Sequence, residues 1–529
     1  METIVTKPLL TGSLLLAAST LALTAGQARA QACDDPLTVE GITECVTLDA
    51  LVGHLEAFQA IADANGDTRV SGTPGYDASV AYVVEELEAA GVEVELQSFE
   101  FTTFTNLGNS LLAQRAAPDP RIYEEGVEYA LLSQTDAGSV YAPVSSVTPE
   151  LGPDNASTDG CEAEDYAGFP EGHIALVQRG TCTFQIKAEN AADAGAVGVV
   201  VFNQGNTPDR TDVINATLSA EYAGGIPAVF VSYDLGVEFL NTEDLRLRLR
   251  TDAFRNTSTT ENVIATIPGE NPDNIVTVGG HLDSVEEGPG ISDNATGVAA
   301  VLETAVQMAG TTYPNTLRFF FWGAEEFGLI GAEEYVASLT EEELAQIALY
   351  LNFDMIGSPN WVYGIYDGDD SAEEGAGPGP EGSAQIEAAF EEYFASEGVP
   401  FTDTDFSGRS DYAPFIAVGI PAGGLFTGAD GIKTAEEVAI YGGTEGDPYD
   451  PAYHTPADDI DNVAIEPLGV NGDAVAAVTL RYALSTFEVN GIGDEGITLV
   501  GGVSATAAGI TGGLVGAVET EMLGEAYRK

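Results

Sequence analysis

The chain is poor in the residue types that most often carry a protein's chemistry. In 529 residues it has four histidines, four cysteines and 18 basic residues, only four of them lysine, against 84 acidic residues and a net charge of −66. The shortage of positive charge makes nucleic acid and anionic membrane surfaces poor partners, because both carry the same sign. The acidic residues are dispersed rather than gathered in a tail, which describes a solvated surface suited to salty surroundings that screen self-repulsion. No CxxC spacing occurs, so zinc on cysteine is not expected. The even cysteine count instead favours two local disulfides, Cys33–Cys45 and Cys161–Cys182, in an exported chain.

Long apolar runs are almost absent. The first follows Lys7, from about Leu9 to Ala25, and precedes Ala28-Arg-Ala30. This is the pattern of a cleavable export signal over residues 1–30, with a mature start at Gln31 and a secreted or periplasmic destination. The second, Gly496 to Val518, has no charge but much glycine. It lies in a tail, residues 489–529, that is expected to be surface-exposed, membrane-associated or removed.

Between these ends the length implies two or three domains. Residues 47–101 read as helix, helix, strand, with Leu51, Leu55, Phe58 and Ile61 at helical spacing, a break at Gly72-Thr-Pro-Gly75, and a second helix from Ser79 to Ala90. His54 sits on the apolar face of the first helix, which suits packing better than metal binding. From about Tyr129 to Leu249 the texture becomes short β-runs and turns, and His173 stands alone there. From Asn262 strands and helices alternate, as in a three-layer α/β core with a mostly parallel sheet.

The two remaining histidines keep informative company. His281 and Asp283 follow the strand Asn274–Gly279, where open α/β sheets place their sites. Their spacing suggests His281 as a metal ligand and Asp283 as its orienting neighbour. Asp293, twelve residues on, precedes a helix and suits either an N-cap or a bridging metal ligand. Glu325-Glu326 follows the bulky strand Thr316–Trp322. Adjacent carboxylates repel unless a cation takes one, leaving the other as a general base. Asp354 ends the strand Ala348–Phe353, and Tyr453-His454 lies in a loop, where the tyrosine hydroxyl is a candidate oxyanion donor. Mixed His–carboxylate donors suit zinc, and a two-zinc site requires a bridging carboxylate, for which Asp293 is the best candidate.

Two resemblances follow from these residues. RGTCTFQIKAENAADAGAVGVVVFN (179–203), with Cys161, resembles a protease-associated (PA) domain, which implies a β-rich α+β insertion over residues 129–250 that acts in substrate access or partner binding. GGHLDSVEEGPGISDNATGVAA (279–300), FFFWGAEEFGLIGAEEYV (319–336), LNFDMIGSPN (351–360), SGRSDYAPF (407–415), GGLFTG (423–428) and YHTPADDIDNV (453–463) resemble the family-28 zinc metallopeptidases, most closely secreted bacterial aminopeptidases that prefer leucine. That likeness implies a three-layer α/β/α di-zinc exopeptidase core built from residues 31–128 and 251–488, acting on peptides. It assigns His281 and Asp354 to one zinc, Glu326 and His454 to the other, and Asp293 to both. It makes Glu325 the base and Tyr453 the oxyanion donor, with Arg409 contacting substrate and Phe426 lining the pocket for the first side chain. Ala452 departs from the family, since some relatives have a cysteine there that braces the histidine loop. A carboxypeptidase or dipeptidase on the same fold, and a metal-free binding protein, are the alternative readings. The second is disfavoured because no ligand is missing.

Overall fold

The computed structural model describes residues 33–494, apart from 34, 116–119, 154, 209, 220–221 and 373–376. The expected export signal and the stretch 496–518 lie outside these residues. Two eight-stranded sheets organise the chain.

The first sheet is built on four parallel neighbours in the order Asn315–Trp322, Asn271–His281, Ile347–Phe353 and Ala422–Phe426. Their side chains are buried almost throughout, which explains why they read as apolar runs rather than alternating ones. Strand periodicity divides them between two layers. Val276, Val278, Leu317, Phe319, Phe321, Leu349 and Leu351 face a core shared with helices Leu48–Ala64, Pro74–Ala90, Thr296–Met308, Ser383–Glu397 and Ile465–Leu484. Phe320, Trp322 and Tyr350 face the opposite layer, where Tyr335 and Phe415 cover them, and the Phe415 ring stacks on Tyr350 at 4.1 Å. This is the expected three-layer arrangement.

The second helix starts five residues earlier than its apolar pattern suggests. Thr73 is its N-cap and Pro74 occupies the first turn, so Gly72-Thr-Pro-Gly75 initiates the helix rather than merely interrupting the chain. The helix ends at Gly91, whose φ of 86° is a left-handed C-cap.

A long antiparallel ribbon carries the chain out to the second sheet and back. Glu93–Asn106 pairs with Ala253–Ile267 residue by residue, from Glu93 opposite Thr266 to Asn106 opposite Ala253. The second sheet centres on the parallel strands Ile174–Gln178, Gly198–Phe202 and Ala228–Val231, covered by helices Phe184–Asp193 and Tyr233–Asn241. It also takes in Leu111–Gln114 and Arg121–Ile122, upstream of residue 129. Both expected disulfides are formed, Cys33–Cys45 with Cα atoms 5.6 Å apart and Cys161–Cys182 with Cα atoms 5.7 Å apart.

Candidate metal centre

Parallel pairing brings three ligand-bearing strand ends to one edge of the first sheet. His281 pairs with Trp322, and Gly279 pairs with Asn352, so His281 lies level with Asp354. Beyond Trp322 the chain turns through Gly323 and Ala324, and Ala324 takes a left-handed φ of 55°. The turn delivers Glu325 and Glu326 to the same edge. Asp293 belongs to a single turn, Ile291–Ala295, whose backbone is not helical at Asp293 and Asn294. It does not cap the next helix, because Ala295 is the N-cap of Thr296–Met308.

Five residues converge through specific atoms. His281 Nε2 lies 3.1 Å from Asp293 Oδ1 and 3.3 Å from Asp354 Oδ1. His454 Nε2 lies 3.2 Å from Asp293 Oδ2 and 3.1 Å from Glu326 Oε2. Each imidazole therefore meets two carboxylates, and Asp293 belongs to both sets through different oxygens. Atoms that ligate one tetrahedral zinc at ~2.0 Å are separated by about 3.3 Å, so each of these four imidazole–carboxylate separations is that of two ligands on one zinc. Asp354 Oδ1 and Glu326 Oε1 are buried with no hydrogen-bond partner among the described residues, as acceptors awaiting a cation are. The residues present fit zinc.

The electrostatics point the same way. Burial opposes charge on His281, yet Glu325 and Asp354 beside it raise its pKa well above the usual imidazole range. Burial also lowers His454, but Asp293 and Glu326 hold it up at about 10. Burial would raise Asp293, and the two imidazoles pull it below the usual carboxylate range. Glu326 is pushed up to about 7 by burial and by Asp293. Burial pushes Glu325 well above the carboxylate range, and Glu326, Asp411 and Asp354 add to the shift against the pull of His281. Bound dications would relieve this excess of buried negative charge.

Supporting contacts differ in part from expectation. The His281 Nδ1–H donates to the backbone carbonyl of Asp283 at 3.2 Å, while the Asp283 carboxylate stands 3.7 Å away. That carboxylate instead accepts the Glu325 N–H at 3.2 Å. Arg409 is mostly exposed, pairs with Asp430 at 2.9 Å, and donates through Nη2 to the Tyr453 hydroxyl at 3.2 Å. The Tyr453 ring stacks on the His454 imidazole with centroids 3.8 Å apart. Phe426 is half-buried at the end of its strand, its ring stacked 6.5 Å from Tyr366. Asp450, which is buried, braces the histidine loop where a cysteine is missing, accepting from the Ala452 N–H and from Asn462 Nδ2.

His54 and His173 do not join the centre. His54 contacts Tyr82 at 2.6 Å and Glu303 at 3.1 Å, and His173 meets Ser145 at 2.9 Å.

Two supporting residues were not singled out from the sequence. Asp458 accepts the Ser292 and Asp293 N–H groups at 2.7 and 3.1 Å, tying the His454 loop to the Asp293 turn. Ser410 donates to Asp354 Oδ2 at 2.6 Å and is held by Asn352 Nδ2. Both lie inside conspicuous motifs, so their position was a signal even though their partners were not.

Residues 262–479 match the model of peptidase family M28, and residues 139–239 match that of the PA domain. The chain is 48% identical over 466 residues to an aminopeptidase of Pseudomonas aeruginosa, covering 88% of this chain and 86% of that one. The chain belongs to peptidase family M28. As an M28 member it is a hydrolase of peptide bonds that carries an inserted PA domain. It is also 36% identical over 467 residues to a probable leucine aminopeptidase 2 of Trichophyton verrucosum, covering 85% and 87% of the two chains. Among solved structures, the aminopeptidase from Aneurinibacillus sp. strain AM-1 superposes with a TM-score of 0.63 at 27% identity, covering 84% of this M28 chain and 96% of its own.

Proposed function

We propose that the protein is an exported di-zinc aminopeptidase that removes large apolar residues such as leucine from peptide N-termini. The observation that carries this reading is the division of Asp293 between His281 and His454. In this reading His281, Asp354 and Asp293 would hold one zinc, and His454, Glu326 and Asp293 would hold the other. Bound zinc would supply Lewis acidity, polarising the scissile carbonyl and making water a better nucleophile.

The chain's own residues do the rest. Glu325 is fixed through its N–H by Asp283 and lies close to His281 and Asp354; left outside both proposed ligand sets, it takes a proton from the attacking water and passes it to the leaving amine. Burial raises its proton affinity, which suits a group that must both accept and donate. Arg409 donates to the Tyr453 oxygen, which leaves the phenol's own proton free to be donated to the developing oxyanion. Phe426, beside Tyr366, supports an apolar wall for the first side chain.

Aminopeptidase rather than carboxypeptidase action is supported by the activities named for the relatives. Two disulfides, with no free cysteine among the described residues, support an oxidising destination. The PA insertion, joined by the ribbon, is given a part in substrate access or partner binding. Hydrolysis of leucine p-nitroanilide against an N-blocked dipeptide tests the direction of attack. Cleavage of the first alone is expected, and cleavage of the second alone would overturn the reading.

A further inference from the structure

Residues 68–71 lie outside the stretch that matches the M28 model, yet they reach both halves of the candidate centre. Arg69 is fully buried in a chain with few basic residues. Its guanidinium donates to three backbone carbonyls: Pro289 from Nε at 2.9 Å, Gly290 from Nη2 at 2.6 Å, and Leu282 from Nη1. Its backbone N–H donates to Ser284 Oγ at 2.9 Å. All four acceptors belong to the loop that separates His281 from Asp293. Two residues on, Ser71 Oγ accepts the Ala324 N–H at 2.7 Å, at the left-handed turn that swings Glu325 and Glu326 into place.

We propose that Arg69 and Ser71 are positioning residues for the metal ligands, Arg69 setting the span between His281 and Asp293 and Ser71 setting the turn before Glu325-Glu326. The inference rests on the di-zinc reading above. A planar fork of donors can tie three carbonyls at once, whereas a lysine ammonium is a compact point charge without that fork. The Phe58 ring packs at 5.1 Å from the guanidinium carbon and closes the site against water. The loop is shaped to receive the fork. Gly290 has a φ of 66°, and a Cβ there would meet Ser284 Cβ at 2.5 Å and the Asp293 carbonyl at 2.6 Å. The cationic head also lies close enough to Asp283, Asp458 and Asp293 to feel their charge, so it offsets carboxylates while the ligand loop is held.

The test uses the full chain with Arg69→Met, Arg69→Lys and Ser71→Ala. Zinc affinity is read by competition with a chromophoric chelator, kcat and KM on leucine p-nitroanilide, and folding by thermal melts. Arg69→Met is expected to bind zinc about 10- to 100-fold more weakly, the range seen when groups that orient metal ligands are removed. Its kcat should fall while KM stays nearly constant. Arg69→Lys should recover only part of the loss, and Ser71→Ala should show a smaller loss of the same kind. Folded variants with wild-type zinc affinity, beside a zinc-loaded wild type, overturn this inference alone. If Arg69→Met does not fold, Ser71→Ala decides by the same affinity criterion. A wild-type chain that takes up no zinc overturns the proposed function as well.

Discussion

Asp293 presents one carboxylate oxygen to each of two histidines that are 173 positions apart in the chain, Oδ1 at 3.1 Å from His281 Nε2 and Oδ2 at 3.2 Å from His454 Nε2. A carboxylate shared in this way joins two ligand sets that would otherwise be independent. Asp293→Ala should therefore remove both metals rather than one. Metal content by mass spectrometry is expected to fall below about one zinc per chain, with activity lost alongside it. Retention of one tightly held zinc would mean that Asp293 serves a single set.

Glu325 and Glu326 are neighbours with separate assignments. Glu325→Gln should abolish turnover while zinc stays bound, because Glu325 is left outside both proposed ligand sets; a loss of at least ~10²-fold in kcat is expected for removal of a general base. Zinc loss in that variant, measured on the purified protein, would show that the two glutamates are interchanged. His454→Ala should instead lose at least one metal together with activity.

Zinc removal should also be visible as stability. A ligand that binds only the folded chain stabilises it by about 4 kcal/mol at ~1,000 times its dissociation constant. Treatment with a chelator is expected to lower the Tm and readdition of zinc to restore it, as followed by calorimetry.

The PA insertion should depend on its crosslink. Cys161 and Cys182 are separated by 21 positions, and a loop of that size loses about 3 kcal/mol of stability when its disulfide is removed. Cys161→Ser with Cys182→Ser should lower the melting point of the insertion while zinc content is unchanged, which a melt followed by metal analysis would check.

One pH effect is predicted away from the metal centre. Asp473, on helix Ile465–Leu484, is raised from 3.8 to about 6 by burial and by the charge of Glu397. A carboxyl whose folded pKa is raised binds its proton more tightly when folded. Stability therefore falls as pH rises from about 4 to 6, and the cost is fully present above that window. Asp473→Asn should relieve it by roughly 1 kcal/mol at pH 7, allowing for solvent screening, with the gain vanishing below about pH 4. Denaturant melts at pH 4 and pH 7 measure the difference.

Legibility in the sequence followed the kind of interaction. His281, Asp293, Glu325, Glu326, Asp354 and His454 were readable as candidates because metal chemistry uses those side chains, four of them at or just beyond strand ends and Asp293 and His454 in a turn and a loop. The apolar strands were readable because burial on both faces leaves few polar positions. Arg69 was hidden among the turn residues Asp67 to Gly72, since its partners are backbone carbonyls more than 200 positions away, which no residue type reports. Asp283 was readable as the neighbour of His281, whereas only the fold showed that its backbone carbonyl makes the closer contact, at 3.2 Å against 3.7 Å for the carboxylate.

The sequence by itself determined which groups could hold metal, which strands would be buried and which cysteines could pair, because residue type, periodicity and proximity along the chain carry that information. Only the tertiary structure decided that Asp293 faces two histidines with different oxygens, that Ala324 turns under the Ser71 hydroxyl, and that Asp450 stands in for a missing brace. Those outcomes depend on angles between backbone segments distant in sequence, and packing fixes such angles only when the whole core closes.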